Sequence, residues 1–215
     1  MGRKPWLFVG NHPALDFLNT RLARSGEWVD RLETCDDLCD WMARAGLIPG
    51  AQAAHLAARW RGRPEARRAL AQARRLREAL RALLECRRGR QAPGRTALAA
   101  VNAILSRGAS APALDFRQGR YRFEALRDPR TAERLLEPIA ALAGHLLSHA
   151  EPERVKACGR AGRVLWFLDT SKNGGRRWCS MAICGNRVKA AAFYRRRSSS
   201  LRRTGGKAAL PRSVR

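Results

Sequence analysis

Residues 158–197 read CGRAGRVLWFLDTSKNGGRRWCSMAICGNRVKAAAFYRRR and hold three of the six cysteines, two of the six tryptophans and a run of arginines. The order of residue types gives the local structure. Val164 to Asp169 is an apolar strand, Thr170 to Gly175 is a Ser/Asn/Gly-rich turn, and Arg176-Arg177-Trp178 is a second strand. Cys179 to Cys184 closes a short knuckle, after which Gly185-Asn186 leads into a helix from Arg187 to about Arg197. About 40 residues cannot bury enough apolar surface to fold on packing alone, so cysteines at the element ends point to a stapling metal. Zinc is the expected cofactor, with Cys158, Cys179 and Cys184 as candidate ligands.

Working outward, 215 residues leave room for one further domain of about 150 residues. The composition is that of an Ala/Leu/Arg-rich helical protein, but 43 Lys plus Arg against 18 Asp plus Glu give a net charge of +25. Such a balance favours phosphate polyanions or an anionic surface as partner. Genome-wide codon bias is the bland alternative for residues 1–150. It accounts less well for residues 151–215, where 17 Lys/Arg face 3 Asp/Glu. No run reaches the about 18 apolar residues of a membrane span, and MGRKPWLFVGNHPALDF lacks the apolar core of a signal peptide. A cytoplasmic location without membrane contact is expected, in which the cysteines stay reduced.

Upstream, the pattern is helical. Thr34 caps an amphipathic helix with Asp36 and Asp37 in its first turn and Gly46 as its stop; Cys35 and Cys39 share one face and read as small core residues. Residues 51–61 and 64–88 form two more helices, the second with a leucine stripe and Arg67, Arg68, Arg74, Arg75, Arg77 and Arg81 on the remaining, solvated faces. Thr96 caps a short helix to Leu105, a hairpin turns at Gln118-Gly119, and a helix opened at Asp128-Pro129 ends with His145 and His149. Near the start, His12, Asp16 and Asn19 are polar residues in an apolar setting. They are either backbone hydrogen-bonding partners or a ligand-sensing pocket for a small polar molecule.

The string RRWCSMAICGNRVKAAAFYRRR, with WFLDTSKN before it, closely resembles the CGNR zinc finger, named for Cys184-Gly185-Asn186-Arg187. GNHPALDFLNT at 10–20 and the Leu-rich helices after it are similar to the ABATE domain that accompanies that finger. The resemblance implies a bacterial transcription regulator whose N-terminal part senses stress or a ligand. It also implies four cysteine ligands. Three fall on Cys158, Cys179 and Cys184, and the fourth position is Arg163, which stays protonated and cannot ligate. Either a neighbour such as His149, Asp169 or water completes the site, or tight zinc is lost and Trp166, Phe167, Trp178 and Phe193 hold the module by packing.

The fold class expected is mainly α with a small β component. A helical sensing domain spans 1–150, a β-hairpin–helix zinc-finger-like module spans 154–197, and a basic tail, read as disordered, spans 198–215. DNA is the expected partner, reached through Asn186, Arg187, Lys189, Arg195, Arg196 and Arg197 on the last helix and Arg176 and Arg177 beside it. Arg187 is alternatively an internal partner of Asp169. RNA or the ribosome is the second class of partner, and a homodimer and a small-molecule effector are further expectations. A small-molecule enzyme built around Asp16 and Asn19 is the third reading. No nucleophile–base pair or acidic dyad supports it, so no catalytic residue is assigned and the chain is read as a non-enzyme.

Overall fold

The computed structural model describes residues 6–24, 27–106, 113–117, 120–124, 131–159, 165–186 and 190. Among them the protein is mainly helical, with three separate two-stranded antiparallel sheets, in agreement with the expected fold class. No helix among the described residues is long and apolar enough to cross a membrane.

The helical body obeys the sequence signals closely. Helix α2, Cys35–Arg44, starts at a complete capping box: the Thr34 hydroxyl accepts from the Asp37 amide while the Asp37 carboxylate accepts from the Thr34 amide. It ends at Gly46, whose φ of +73° only glycine adopts without strain. Cys35 and Cys39 are buried in the main core. Helix α3, Gly50–Trp60, packs on α2, and α4, Pro64–Arg88, is the long central helix against which α5, Arg95–Leu105, lies. The N-cap of α5 is Gly94 and not Thr96. Helix α6, Glu137–His149, comes after a 3₁₀ turn over Ala132–Leu136, so Pro138 falls in its first turn, where no amide partner is lost.

Two strand pairs lie upstream of α6. The expected hairpin is present as Ala113–Arg117 (β3) against Arg120–Glu124 (β4), with Phe116 opposite Tyr121. An additional pair, Arg21–Arg24 (β1) with Glu27–Asp30 (β2), carries no apolar alternation that would announce it.

The arginine faces of α4 are not uniformly solvated. Arg77 is 1% exposed and pairs with Asp30 at 2.5 Å while donating to the Thr20 hydroxyl at 2.9 Å. Arg81 is also buried, beneath Trp28 of β2. Burial alone would raise the Asp30 carboxyl, but Arg77 and then Arg74 beside it hold it below the ordinary carboxylate range. Arg77 and Arg81 fasten the β1–β2 pair to the helical body.

The C-terminal sheet departs from expectation. Strand β6, Trp166–Leu168, pairs with Val155–Ala157 (β5), upstream of it, and not with residues 176–178. From that segment only the Arg177 carbonyl takes part, accepting from the Gly159 amide at 2.9 Å. An extended chain points alternate backbone groups to opposite edges. Leu165 and Asp169 bond toward the β5 side, through Cys158 N to Leu165 O and Asp169 N to Arg154 O. Trp166 and Leu168 face the other edge, and the N-terminal segment covers it.

There, Leu168 N donates to Gly10 O at 2.7 Å and Leu168 O accepts from Asn11 Nδ2 at 2.9 Å. Trp166 N donates to Asn19 Oδ1 at 2.8 Å and Trp166 O accepts from Asn19 Nδ2 at 2.9 Å. One asparagine side chain thus replaces a neighbouring strand. Helix α1, Pro13–Leu18, sets the spacing between Gly10 and Asn19 and packs on α6 and β6. Asn11 holds φ of +54°, a conformation asparagine tolerates better than most residues. Gly10 has no room for a side chain, since a Cβ there would lie 2.8 Å from Leu15 Cβ and 3.0 Å from the Asp16 amide nitrogen.

Asn19 and Trp166 are each 1% exposed, so deleting the asparagine amide leaves two buried backbone groups without partners. Asn19→Ala is expected to lower the unfolding free energy by about 2–4 kcal/mol, measured by urea denaturation. Asn19→Asp, which keeps the acceptor and loses the donor, is also expected to destabilise. A loss below about 0.5 kcal/mol for Asn19→Ala would contradict this account of the clasp.

Candidate metal centre and basic face

Strand β6 ends beside Asp169, a wholly buried carboxylate that organises the turn and the knuckle beyond it. Its Oδ1 accepts from the Ser171 amide at 3.0 Å and the Ser171 hydroxyl at 2.6 Å, and its Oδ2 accepts from Lys156 Nζ at 2.8 Å and the Arg176 amide at 2.8 Å. Burial would raise its pKa; Lys156 and the hydrogen bonds from Ser171 and Arg176 overcome that and hold the carboxyl well below the usual range. Lys156 also donates to the Gly174 carbonyl, and Arg154 donates to Asp169 O at 3.1 Å and Ser171 O at 2.8 Å. The Ser/Asn/Gly turn is thereby folded back beside β5, which aims residues 176–179 at Cys158.

The knuckle itself is a single wide helical turn, Met181–Gly185, capped by Ser180, whose hydroxyl accepts from Ile183 N at 3.3 Å. Ser180 O accepts from both Cys184 N and Gly185 N at 3.0 Å. These bonds swing Cys184 back over Cys179, with their sulfurs 3.5 Å apart. Cys158 completes a group in which all three Sγ atoms lie within 4.8 Å of one another, each residue buried. A tetrahedral zinc with Zn–S near ~2.3 Å needs sulfurs about 3.8 Å apart, and the cluster is close to that spacing. Cys158 as hydrogen-bonding neighbour, then burial and the nearby Cys184, push the Cys179 thiol up. A dication reverses that balance by stabilising the thiolates. Leu165 and Phe167 wall the cluster from within the module, and Leu22 of β1 does so from outside it, with Leu7 and Val9 packed alongside.

The other described candidates do not supply a fourth ligand. Both oxygens of Asp169 are engaged by Ser171, Lys156 and Arg176. His145 and His149 stack on each other with ring centroids 4.2 Å apart, and His149 Nδ1 lies 2.8 Å from Ser148 Oγ. Among the described residues only the three cysteines form a metal-holding group. Arg163 lies outside the described residues, as do Arg187, Lys189, Arg195, Arg196, Arg197, Phe193 and the tail 198–215.

A family model described as "ABATE: Putative stress-induced transcription regulator" matches residues 11–150. The chain belongs to the ABATE family. A second model, the CGNR zinc finger, matches residues 154–197. A comparison with curated proteins found no match. Neither ABATE nor the CGNR zinc finger is an enzyme family by these descriptions, and the three grouped thiols are the zinc-ligand candidates of this ABATE protein's finger.

Arg176 and Arg177 stand at the finger's edge. Arg176 lies over Phe167 and donates to Cys179 O at 2.6 Å, while Arg177 lies over Trp178 and is exposed. Asn186, exposed, begins the chain's exit from the knuckle. His12 caps α1, its Nδ1 accepting from Ala14 N at 3.2 Å. Asp16 accepts from Gly10 N at 2.7 Å, and Asn19 is taken up by Trp166. Of the two readings of Asp16 and Asn19, backbone partnering is the one these bonds describe. Gly10, Asn11 and Lys156 were not among the residues expected to matter. Gly10 and Asn11 open the GNHPALDFLNT string, which gives them no individual role, and nothing local marks Lys156 as the partner of a carboxylate 13 positions away.

Zinc is expected to bind at one ion per chain, with Cys184→Ser weakening it sharply and Arg163→Cys tightening it in competition with a chelating dye. Equal affinity for wild type and Arg163→Cys would show that the fourth position is not a weak point.

Burial pushes the Asp16 carboxyl up to about 6, against the lowering effect of the Gly10 and Val9 amides. Carboxyl ¹³C shifts are expected to titrate near that value rather than near ~4. The unfolded chain ionises first, so this group favours folding most below about pH 4, and the advantage is lost as pH rises through about 6. The full span is on the order of 3 kcal/mol.

Proposed function

We propose that this protein is a DNA-binding transcription regulator in which residues 154–197 read DNA and residues 1–150 form the sensing and dimerising body. The observation that carries the reading is the pairing of a buried three-thiol knuckle with exposed basic and amide side chains on either side of it, Arg177 before Cys179 and Asn186 after Cys184. A metal-locked turn fixes the direction of such side chains at low conformational cost, which recognition of a groove requires. The ABATE description as a transcription regulator and the net charge of +25 support the same reading. In this proposal Arg187, Lys189, Arg195, Arg196 and Arg197 contact phosphates alongside Arg176 and Arg177, and Asn186 or Arg187 reaches a base edge. A cytoplasmic location, where the thiols stay reduced, accompanies it.

Fluorescence anisotropy with duplex DNA and with structured RNA, across a salt series, tests the proposal. Duplex DNA is expected to bind more tightly, with affinity falling steeply as salt rises. Preference for RNA at every salt concentration would replace DNA with RNA as the partner.

A further inference from the structure

A groove of about 550 Å³ opens between the C-terminal end of α4 and the β5 side of the finger. Six cations line it: Arg87, Arg88 and Arg90 from the helix end, Lys156 from β5, and Arg176 and Arg177 from the segment before the knuckle. Glu153 is the single carboxylate among the lining residues.

Several of these cations have internal duties. Lys156 is neutralised by Asp169, Arg87 donates to Leu146 O and Ala150 O, and Arg176 donates to Cys179 O. Arginines in the last turn of a helix also complement its dipole, which explains Arg87 and Arg88 in part. It does not explain Arg90, which stands beyond the helix at φ of +53° with its side chain 88% exposed. Its carboxylate partner among the described residues is Glu153, 3.8 Å away and itself 70% exposed, a pairing of little energy. Nor does the dipole explain why Arg88 reaches 5.6 Å from the ring of Trp166, the residue clasped by Asn19. Like charges brought together in one concavity repel one another unless an anion enters.

We propose that this groove is a phosphate-binding site built jointly by the helical body and the finger, and that the DNA backbone occupies it. Arg88, Arg90 and Arg177 supply the contacts, so the DNA footprint extends from the finger onto the end of α4. The occupant derives from the reading of the finger as a DNA reader, on which this inference rests: a backbone tracking past Arg177 meets Arg88 and Arg90 next. Phosphate is the shared chemistry of two sources, the DNA backbone and a free oligophosphate, and the test separates them.

The full-length zinc-loaded protein is titrated with labelled duplex DNA across a salt series and, separately, with inorganic tripolyphosphate. Wild type is compared with the double variant Arg88→Ala/Arg90→Ala. Loss of two phosphate contacts is expected to reduce the slope of log K against log salt by about 1.8, roughly 60-fold weaker binding at ~0.1 M salt with the curves meeting near ~1 M. Arg90→Glu repeats the test at a side chain that is almost wholly exposed, and thermal melts verify that each variant is folded. An unchanged slope in both variants, with Arg195, Arg196 and Arg197 substitutions still weakening DNA, overturns the groove and leaves the finger reading intact. Tripolyphosphate binding that depends on Arg88 and Arg90, with no DNA binding by wild type, keeps the phosphate site and removes DNA as its occupant. Binding of neither overturns both.

Discussion

The clasp between Asn19 and the backbone of Trp166 is the interaction on which the two ends of the chain depend. Strand β6 is three residues long, and one of its edges is already taken by β5. Without Asn19, the backbone polar groups of Trp166 would be left unpaired in an apolar surround, and without Gly10 and Asn11 those of Leu168 would lose their partners nearer the surface. Position along β6 then fixes the finger beyond it. Asp169 comes immediately after, gathers Lys156, Ser171 and Arg176, and so determines where Cys179 meets Cys158.

Legibility in the sequence tracked the range of the interactions. The helices of the body were readable because their signals are local: the Thr34–Asp37 box, the Gly46 stop and the leucine stripe of α4 each lie within a few turns. The three thiols were readable because a metal narrows the use of cysteine so strongly. The strand partner of β6 was not. Residues 176–178 come after β6 across a Gly-rich turn and look like the return arm of a hairpin, yet Asp169 accepts the Arg176 amide and pulls that arm into a loop, leaving the ladder to Val155–Ala157. That outcome depends on Lys156 and Asp169 finding each other, a contact with no periodic trace in the chain.

Arginine is the residue whose meaning changed most between sequence and structure. On α4 the sequence offers a repeating series of arginines with similar surroundings, and the structure divides them by neighbour. Arg77 and Arg81 are structural cations holding β1 and β2, Arg74 donates to Leu32 O, and Arg88 reaches across to the finger. Composition counts these residues equally toward a charge of +25, although a buried guanidinium paired with Asp30 adds little to the field outside. The cations able to touch a polyanion are therefore fewer than the 43 that composition counts.

The wall of the thiol cluster has a bearing on how such a protein can change over time. Leu22, Leu7 and Val9 are encoded far upstream of the cysteines they shelter, yet they complete the same small core. A finger transplanted onto another body would arrive with one side of its sulfur cluster open to solvent and one edge of β6 bare. Separating the two halves therefore costs packing at the thiol cluster and hydrogen bonds along β6 at the same time. Leu22 shares its core with Leu165, Phe167 and the three thiols, so a change of volume at this position in β1 is felt inside the finger.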